Sequence, residues 1–393
     1  MSESQALKKH REWRGKVEVI SRAPIETKED LALAYTPGVA EPCLEISRDE
    51  NLAYDYTRKW NLVAVITDGT AVLGLGDIGP SAGMPVMEGK CALFKRFADV
   101  DAFPLCVNSK DPKVIVETIA NISKSFGGIN LEDISAPRCF EIESELQEKC
   151  DIPIFHDDQH GTAIVTAAGL LNAVRLTGKK LGELKIVISG AGAAGISIAR
   201  LLLKMEFGEI ILCGSKGAVY DGAPYINPAQ QEISLVTNRG KFSGTLGEAL
   251  KNADVLIGVS KPDVVTKEMV QSMAAEPIIF AMSNPVPEIM PDLAKAAGAA
   301  VVGTGRSDFP NQVNNVLVFP GFFKGLLSVR AKRVTEGMRE AAARALADVV
   351  SQAELNADFV LPGVFDPRVA ETVAKVVAEE AVKAGVTRIP LLS

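Results

Sequence analysis

Apolar residues fall along this chain in two rhythms, and the alternation between them predicts the architecture. Short unbroken apolar runs closed by Gly, Asp or Ser predict buried strands. Asn61 to Thr67, closed by Asp68-Gly69, is one. Lys185 to Ser189, Ile210 to Cys213, Asp254 to Gly258 and Pro277 to Met282 are others. Between them run longer stretches of helical character. Asp111-Pro112 opens one that continues through Ser123 and ends at Gly127-Gly128. Gly161 to Leu176 is small and apolar nearly all round, which predicts a buried helix, with Gly178 placed to stop it. Ile196 to Met205, about 333 to 350 and about 368 to 384 predict three more.

Strands alternating with helices give an α/β fold: a C-terminal Rossmann-like doubly wound parallel sheet plus an N-terminal α/β domain. At 393 residues the chain exceeds what one core accommodates, so two domains are expected. The division falls near residue 155: an N-terminal domain over 1–155, a nucleotide-binding domain over 156–370, and a C-terminal helical segment over 371–393 that packs back on the first domain. No internal repeat or low-complexity tract interrupts this plan.

Composition narrows the class. Hydrophobic residues make up 47% and aromatics only 6%, so the core is built of Ala, Val, Ile and Leu, as in a compact α/β enzyme. The net charge of -7 lacks the basic stripe that a nucleic-acid surface requires. The six cysteines are scattered without a C-x-x-C pair, which argues against a zinc site or disulfide framework and for reduced thiols in a cytoplasm. The N-terminal stretch through Lys16 is charged, without the apolar region of a secretory signal. No apolar run reaches the roughly 18 residues needed to span a bilayer. We therefore expect a cytoplasmic protein with no membrane and no nucleic-acid partner.

The G-x-G-x-x-G pattern occurs twice. Gly74-Leu75-Gly76-Asp77-Ile78-Gly79 carries an acid that would repel pyrophosphate, and it reads as a turn between strands. Gly190-Ala191-Gly192-Ala193-Ala194-Gly195 has a strand before it and a helix after it, the context in which such a loop holds a dinucleotide pyrophosphate. NAD-binding folds commonly place an acid at the end of the next strand. Here Cys213-Gly214-Ser215-Lys216-Gly217 has none, and Ser215 and Lys216 suit a 2′-phosphate, which tilts the expectation from NAD toward NADP.

Two acidic pairs stand upstream of that loop: Glu132-Asp133, and Asp157-Asp158 within His156-Asp157-Asp158-Gln159-His160-Gly161. Either pair alone could cap a helix. One cap does not explain two pairs, and convergent carboxylates are the hard ligands that Mg²⁺ or Mn²⁺ takes while keeping positions open for substrate. His156 and His160 lack a metal-ligand spacing and read as structural. Asn284 follows an apolar strand and so sits at a carboxyl edge, where open α/β sheets bind ligands.

These residues form part of an ordered set that resembles the malic enzymes in their short bacterial form. The set comprises Leu33 to Ala40 with Tyr35-Thr36-Pro37-Gly38, Thr67-Asp68-Gly69 with Gly74 to Gly79, Glu88-Gly89-Lys90, Glu132-Asp133, Asp157 to Ala163, Ser283-Asn284-Pro285, and Asn314-Asn315 with Phe319-Pro320-Gly321. It covers roughly residues 30 to 325. The resemblance implies oxidative decarboxylation of L-malate to pyruvate and CO₂ with reduction of NAD(P)⁺, by a homodimer or higher homo-oligomer. It implies Glu132, Asp133 and Asp158 as metal ligands, Lys90 as general base, Tyr35 as general acid, Asp157 beside Lys90, and Lys90, Asn284 and Asn315 as substrate contacts. One departure matters. The larger animal forms carry an arginine shortly after the Thr-Asp-Gly turn, where this chain has Ala71, so that contact to a malate carboxylate must come from elsewhere or be missing.

An ordinary lysine, with a pKa of about 10.4, is protonated at neutral pH, so Lys90 needs desolvation or cationic neighbours to act as a base, and an adjacent Asp157 opposes that. Two other readings keep the same motifs: a different metal-dependent decarboxylating 2-hydroxy acid dehydrogenase, and a non-enzymatic NAD(P) sensor, which would need neither Lys90 nor the acids.

Overall fold

The computed structural model describes residues 3–390. Its described strands form two sheets. β1 (Leu62–Thr67), β2 (Asp101–Cys106), β3 (Gly128–Leu131) and β4 (Ile154–His156) make a four-stranded sheet, ordered β2-β1-β3-β4 and parallel throughout. β5 (Lys185–Ser189), β6 (Glu209–Gly214), β7 (Gly217–Ala218), β8 (Val255–Gly258), β9 (Ile278–Ala281) and β10 (Val301–Thr304) make a six-stranded sheet, ordered β10-β9-β8-β5-β6-β7. Only the short β6–β7 pairing is antiparallel. The strand order reverses at β5, which puts the Gly190–Gly195 loop at a switch point, where doubly wound sheets bind ligands.

The core follows the strand pleat. Val63 and Val65 of β1 face the other sheet, and with Phe155 they join Ile186, Ile188 and Phe280 in one continuous cluster. Phe319, Phe322 and Phe323 fill the space between, and Phe94 meets Phe319 edge-on at 4.7 Å. Ala64 and Ile66 point the opposite way into a second cluster with Ile115, Ile119 and Ile142. Val187, Leu256 and Ile279 seed a third on the far face of the larger sheet. The helix Phe319–Ser328 carries Gly321 and Gly325 toward the C-terminal helix Arg368–Lys383. A Cβ at those glycines would stand 2.5 Å from the Ala370 carbonyl and 2.4 Å from that of Ala374, so the two helices touch backbone to backbone.

Several elements differ from the sequence reading. The helix expected from Gly161 starts at Asp157 and runs to Thr177, which places both aspartates in its first turn. The first glycine motif joins β1 to the helix Pro80–Ala98 rather than strand to strand; Pro80 starts that helix because a missing N–H costs nothing at the first position. β2 carries Pro104 and keeps it on a sheet edge, where the missing donor is tolerated.

The N-terminal segment behaves unlike the rest. Its helices Gln5–Trp13, Lys28–Ala34 and Ala40–Arg48 bury no residue, and Trp13, Val19, Ile20, Leu33 and Leu44 stand exposed. Among the described residues, no helix is long and apolar enough to cross a membrane.

Candidate active site

The carboxyl ends of β1, β3 and β4 bring the acidic pairs together. Glu132 and Asp133 leave β3, and Asp157 and Asp158 leave β4, so parallel neighbours deliver both pairs to one edge. The Glu132 N–H donates to the Ile66 carbonyl at 2.9 Å, and the Asp133 N–H donates to Asp158 Oδ2 at 2.8 Å. Asp133 adopts φ 56°, a left-handed turn at the sheet edge. One carboxylate oxygen each from Glu132, Asp133 and Asp158 lie within 4.8 Å of one another.

Lys90, on the helix Pro80–Ala98, reaches into this cluster and is only 7% exposed. Its ammonium lies 3.1 Å from Glu132, pairs closely with Asp157, and sits 3.9 Å above the Phe319 ring. Gly161 makes that pairing possible, since a Cβ there would stand 1.9 Å from Asp157 Oδ1. Asn130 Nδ2 donates to Glu132 Oε2 at 2.9 Å and fixes the glutamate from below.

Packing like charges out of water has a readable cost. Burial pushes Glu132 and Asp158 above the usual carboxylate range. Asp157 is pushed up to about 8, by burial first, with Glu132 repelling it and Lys90 only partly offsetting both. Burial alone would lower Lys90, but Asp157 and Glu132 outweigh it and hold the ammonium above its ordinary value. The opposition expected between Asp157 and a basic Lys90 is therefore present, and with these acids bare the lysine is an acid. Three converging carboxylates, Glu132 and Asp133 buried and Asp158 partly so, are a donor set that a divalent cation fits, because it supplies the charge they lack.

The same cluster lines a cavity of 1140 Å³ whose opposite wall belongs to the larger sheet: Ala194, Ser260, Met282, Asn284 and Asn315. The two walls come close, since a Cβ on Gly74 would lie 2.5 Å from the Asn284 carbonyl. That contact accounts for Gly74, while Gly76 at φ 76° and Gly79 at φ 81° supply the left-handed turns of the same motif. Asn314 also lines the cavity, but its Oδ1 accepts the Val316 N–H at 3.0 Å, so Asn315 is the better placed to meet a ligand.

A second cavity, of 980 Å³, opens at Gly190, Ala191 and Gly192 and is lined by Ser215 and Lys216. The loop's glycines have separate jobs. Gly190, at φ 117°, turns the chain beneath the Val259 carbonyl; Gly195 lets the following helix press on the loop, its hypothetical Cβ only 1.9 Å from the Gly190 carbonyl; Gly192 faces open space. Ala194 lies on the first cavity, while Ala193 starts the helix Ala193–Lys204 and Gly195 packs inside it.

Tyr35 is not brought to the cluster. It caps the helix Lys28–Ala34, is 66% exposed and is absent from the cavity wall. His160 pairs with Glu143 at 2.7 Å, and His156 is fully buried with its Nδ1 3.8 Å from Asp158 Oδ2.

Sequence reading missed two supports. Glu288, fully buried, accepts the Ser260 N–H at 2.7 Å and the Ser283 N–H at 3.1 Å, tying together the loops after β8 and β9 that carry the far wall. Its only signal was an acid shortly after a strand. Lys16 lines the cavity and donates to the Pro85 carbonyl at 2.7 Å, a contact across 69 residues that no local pattern announces.

Comparison with known proteins adds an independent line. A family model described as the malic enzyme NAD-binding domain matches residues 159–383, and one described as the malic enzyme N-terminal domain matches 14–114. The chain is 57% identical over 386 residues to a bifunctional malic/malolactic enzyme of Bacillus subtilis, covering 98% of this chain and 94% of that one. It is 52% identical over 374 residues to an NAD-dependent malic enzyme of Geobacillus stearothermophilus, covering 95% and 78%. With an NADP-dependent malic enzyme of Escherichia coli the identity is 47%, covering 96% of this chain but 52% of that longer protein. The crystal structure of a malic enzyme from Pyrococcus horikoshii superposes with a TM-score of 0.93 at 44% identity, covering 98% and 92%.

Proposed function

The chain belongs to the malic enzyme family, and from that premise we propose how its own residues carry the reaction. It is an NAD(P)-dependent oxidoreductase that converts L-malate to pyruvate and CO₂. The observation that carries the assignment of roles is the placement of Lys90 among Glu132 and Asp157, in one cavity with the converging carboxylates and with Ala194 of the nucleotide loop.

Lys90 accepts the proton of the malate C2 hydroxyl as hydride leaves for the nicotinamide. Asp157 holds the amine in line and, with its raised proton affinity, is able to take that proton onward. Glu132, Asp133 and Asp158 hold the divalent cation, Mg²⁺ or Mn²⁺. Such an ion would supply Lewis-acid polarisation of a substrate oxygen and positive charge against the acidic field that keeps Lys90 protonated. Asn284 and Asn315 orient the substrate from the opposite wall. Lys16 is the other cation on the cavity wall besides Lys90, and we assign it the malate carboxylate contact that Ala71 cannot make.

Tyr35 enters as the acid that protonates C3, and its position supports a homodimer. An exposed tyrosine on a segment whose apolar faces cover nothing fits a surface that docks on a second copy and delivers the side chain there. Co-expression of Lys90→Ala with Tyr35→Phe tests it. Delivery across the dimer restores about a quarter of wild-type activity through mixed dimers, by random assortment of a two-fold dimer. Delivery within one chain restores none.

Ser215 and Lys216 favour NADP, since Glu248, the acid in that cavity, is spent on the Thr245 N–H at 2.8 Å. We place the domain boundary at 155/156, within β4 and one residue before the Asp157–Thr177 helix, with 371–393 as the C-terminal segment, whose described part carries most of the helix Arg368–Lys383. Six free cysteines suit a cytoplasmic setting. The direct experiment is the purified chain with malate, Mn²⁺ and each nicotinamide cofactor, following reduced cofactor by absorbance. Turnover with NADP⁺ exceeding that with NAD⁺ is expected; no reduction with either overturns the assignment of roles.

A further inference from the structure

Opposite the catalytic cleft, at the amino ends of the first sheet, a second charged pocket remains unexplained by the reaction. It has a volume of 280 Å³, and its wall carries Tyr54, Lys59, Lys124, Lys149 and Arg388 against the acids Glu50 and Asp151. Lys59 stands in the turn Arg58–Asn61 that leads into β1, whereas Thr67 at the other end of that strand leads to the cleft. Six residues at about 3.3 Å each put roughly 20 Å between the two sites.

Internal pairing leaves one charge over. Lys124 pairs with Glu50 at 2.7 Å, and Lys149 pairs with Glu117 on the surface. Arg388 is held by Asp151 and by the Arg330 carbonyl at 3.1 Å, and Arg330 by Asp55. Lys59 is 6% exposed, yet among the described residues its ammonium donates only to the Lys124 carbonyl, at 3.0 Å, and has no carboxylate within ion-pair distance. Tyr54, 4% exposed, lies 5.1 Å beneath that ammonium, and its hydroxyl is buried without a partner. A buried ammonium with spare donors beside a buried hydroxyl with none filled is costly unless something accepts from both.

We propose that this pocket binds a small oxyanion, of the phosphate or carboxylate class, at a site separate from the catalytic cleft. One acceptor seated there takes hydrogen bonds from Lys59 and Tyr54 together and answers the surplus positive charge. It also adds to the bonds that already join three stretches: the Glu50–Asn61 region, the turn Ser123–Ser125 and Arg388, whose guanidinium lies 5.4 Å over the Tyr54 ring. The first of these continues directly from the exposed N-terminal segment, so occupancy bears on how firmly that segment is held.

The test is isothermal titration of the full chain with inorganic phosphate and, separately, with succinate, at ionic strength fixed with KCl and with NADP⁺ saturating. At least one of the two is expected to fill a single site per chain, and which one does identifies the class. Lys59→Met is expected to weaken it by about tenfold or more, and Tyr54→Phe, which keeps the ring, by about two- to tenfold. Saturation by neither ligand overturns the proposal. So does binding that survives both substitutions, which would belong to the cleft. Should Lys59→Met not fold, Tyr54→Phe decides alone, and unchanged affinity there counts against the site.

Discussion

The two sheets face each other across one cleft and solve ligand binding in opposite ways. At the carboxyl edge of the first, recognition is made of buried charge: Lys90, Glu132, Asp133, Asp157 and Asp158 crowd together at the cost of displaced proton affinities. At the carboxyl edge of the second, it is made of missing side chains: Gly190 and Gly195 let backbone come close to backbone, and Gly192 leaves open space. The first edge is incomplete without a cation, because its acids repel one another. The second is complete in itself, since what it offers is shape and N–H groups at a helix start. The difference teaches where each edge should fail: charge changes at the first should destroy chemistry and metal binding while sparing the nucleotide, and added bulk at the second should do the reverse.

The largest separation is expected from Lys90→Ala. Removing the base should lower kcat by about 10²- to 10⁴-fold, while nucleotide fluorescence titration gives an unchanged Kd. Loss of nucleotide affinity there would mean the edges are not independent. Next, Glu132→Gln or Asp158→Asn should weaken Mn²⁺ binding by about 10- to 100-fold, an effect of the size seen when metal-site partners are removed. Unchanged Mn²⁺ titrations would withdraw those ligand roles. Gly195→Ala probes the other edge: a Cβ 1.9 Å from the Gly190 carbonyl cannot be housed without moving the loop. Nucleotide affinity should fall by about tenfold or more with Mn²⁺ binding intact.

How much of this was legible depends on whether the cause was local. The nucleotide loop was, because strand, glycine spacing and helix are all written within one stretch. The acidic pairs were legible as residue types, and their convergence followed from parallel β3 and β4 bringing both ends to one edge. Strands β2, β3 and β10 were not, since β2 is interrupted by Pro104, β3 has four residues and β10 carries Gly303, and each owes its strand state to neighbours. Glu288 and Lys16 act across loops or across 69 residues, which no periodicity encodes. Tyr35 stands in a motif of local sequence, but no local pattern tells that its own chain leaves it facing solvent.

Smaller in size, but sharper on the charged edge, is a pH effect on stability. Asp157 is raised to about 8 in the folded protein and titrates near 3.8 when unfolded, so the folded state keeps a proton the unfolded state gives up. Its contribution is therefore present at low pH and lost as pH climbs through about 4 to about 8. Lys90, also raised, has the same sign but acts only at strongly alkaline pH. His156 and His160 are lowered by burial and run the opposite way, losing stability as pH falls through the histidine range. The informative quantity is thus the difference between wild type and Asp157→Asn. In metal-free protein that difference in Tm should shift in favour of the variant as pH rises from about 5 to about 8, measured by calorimetry. A pH-independent difference would mean that Asp157 is already ionised beside Lys90.

The smallest effect expected is at Gly192, and it is the one that distinguishes a loop shaped by packing from a loop shaped by its ligand. Its neighbours Gly190 and Gly195 are needed by the fold itself, whereas a Cβ on Gly192 would meet nothing within 4 Å, and its φ of -95° suits any residue. Gly192→Ala should therefore leave Tm and Mn²⁺ affinity unchanged and weaken the nucleotide alone, by about two- to tenfold, through a methyl group placed where the pyrophosphate approaches. Unaltered nucleotide affinity would show that the phosphates pass the loop at a distance, and that the second edge relies on its helix start more than on its glycines.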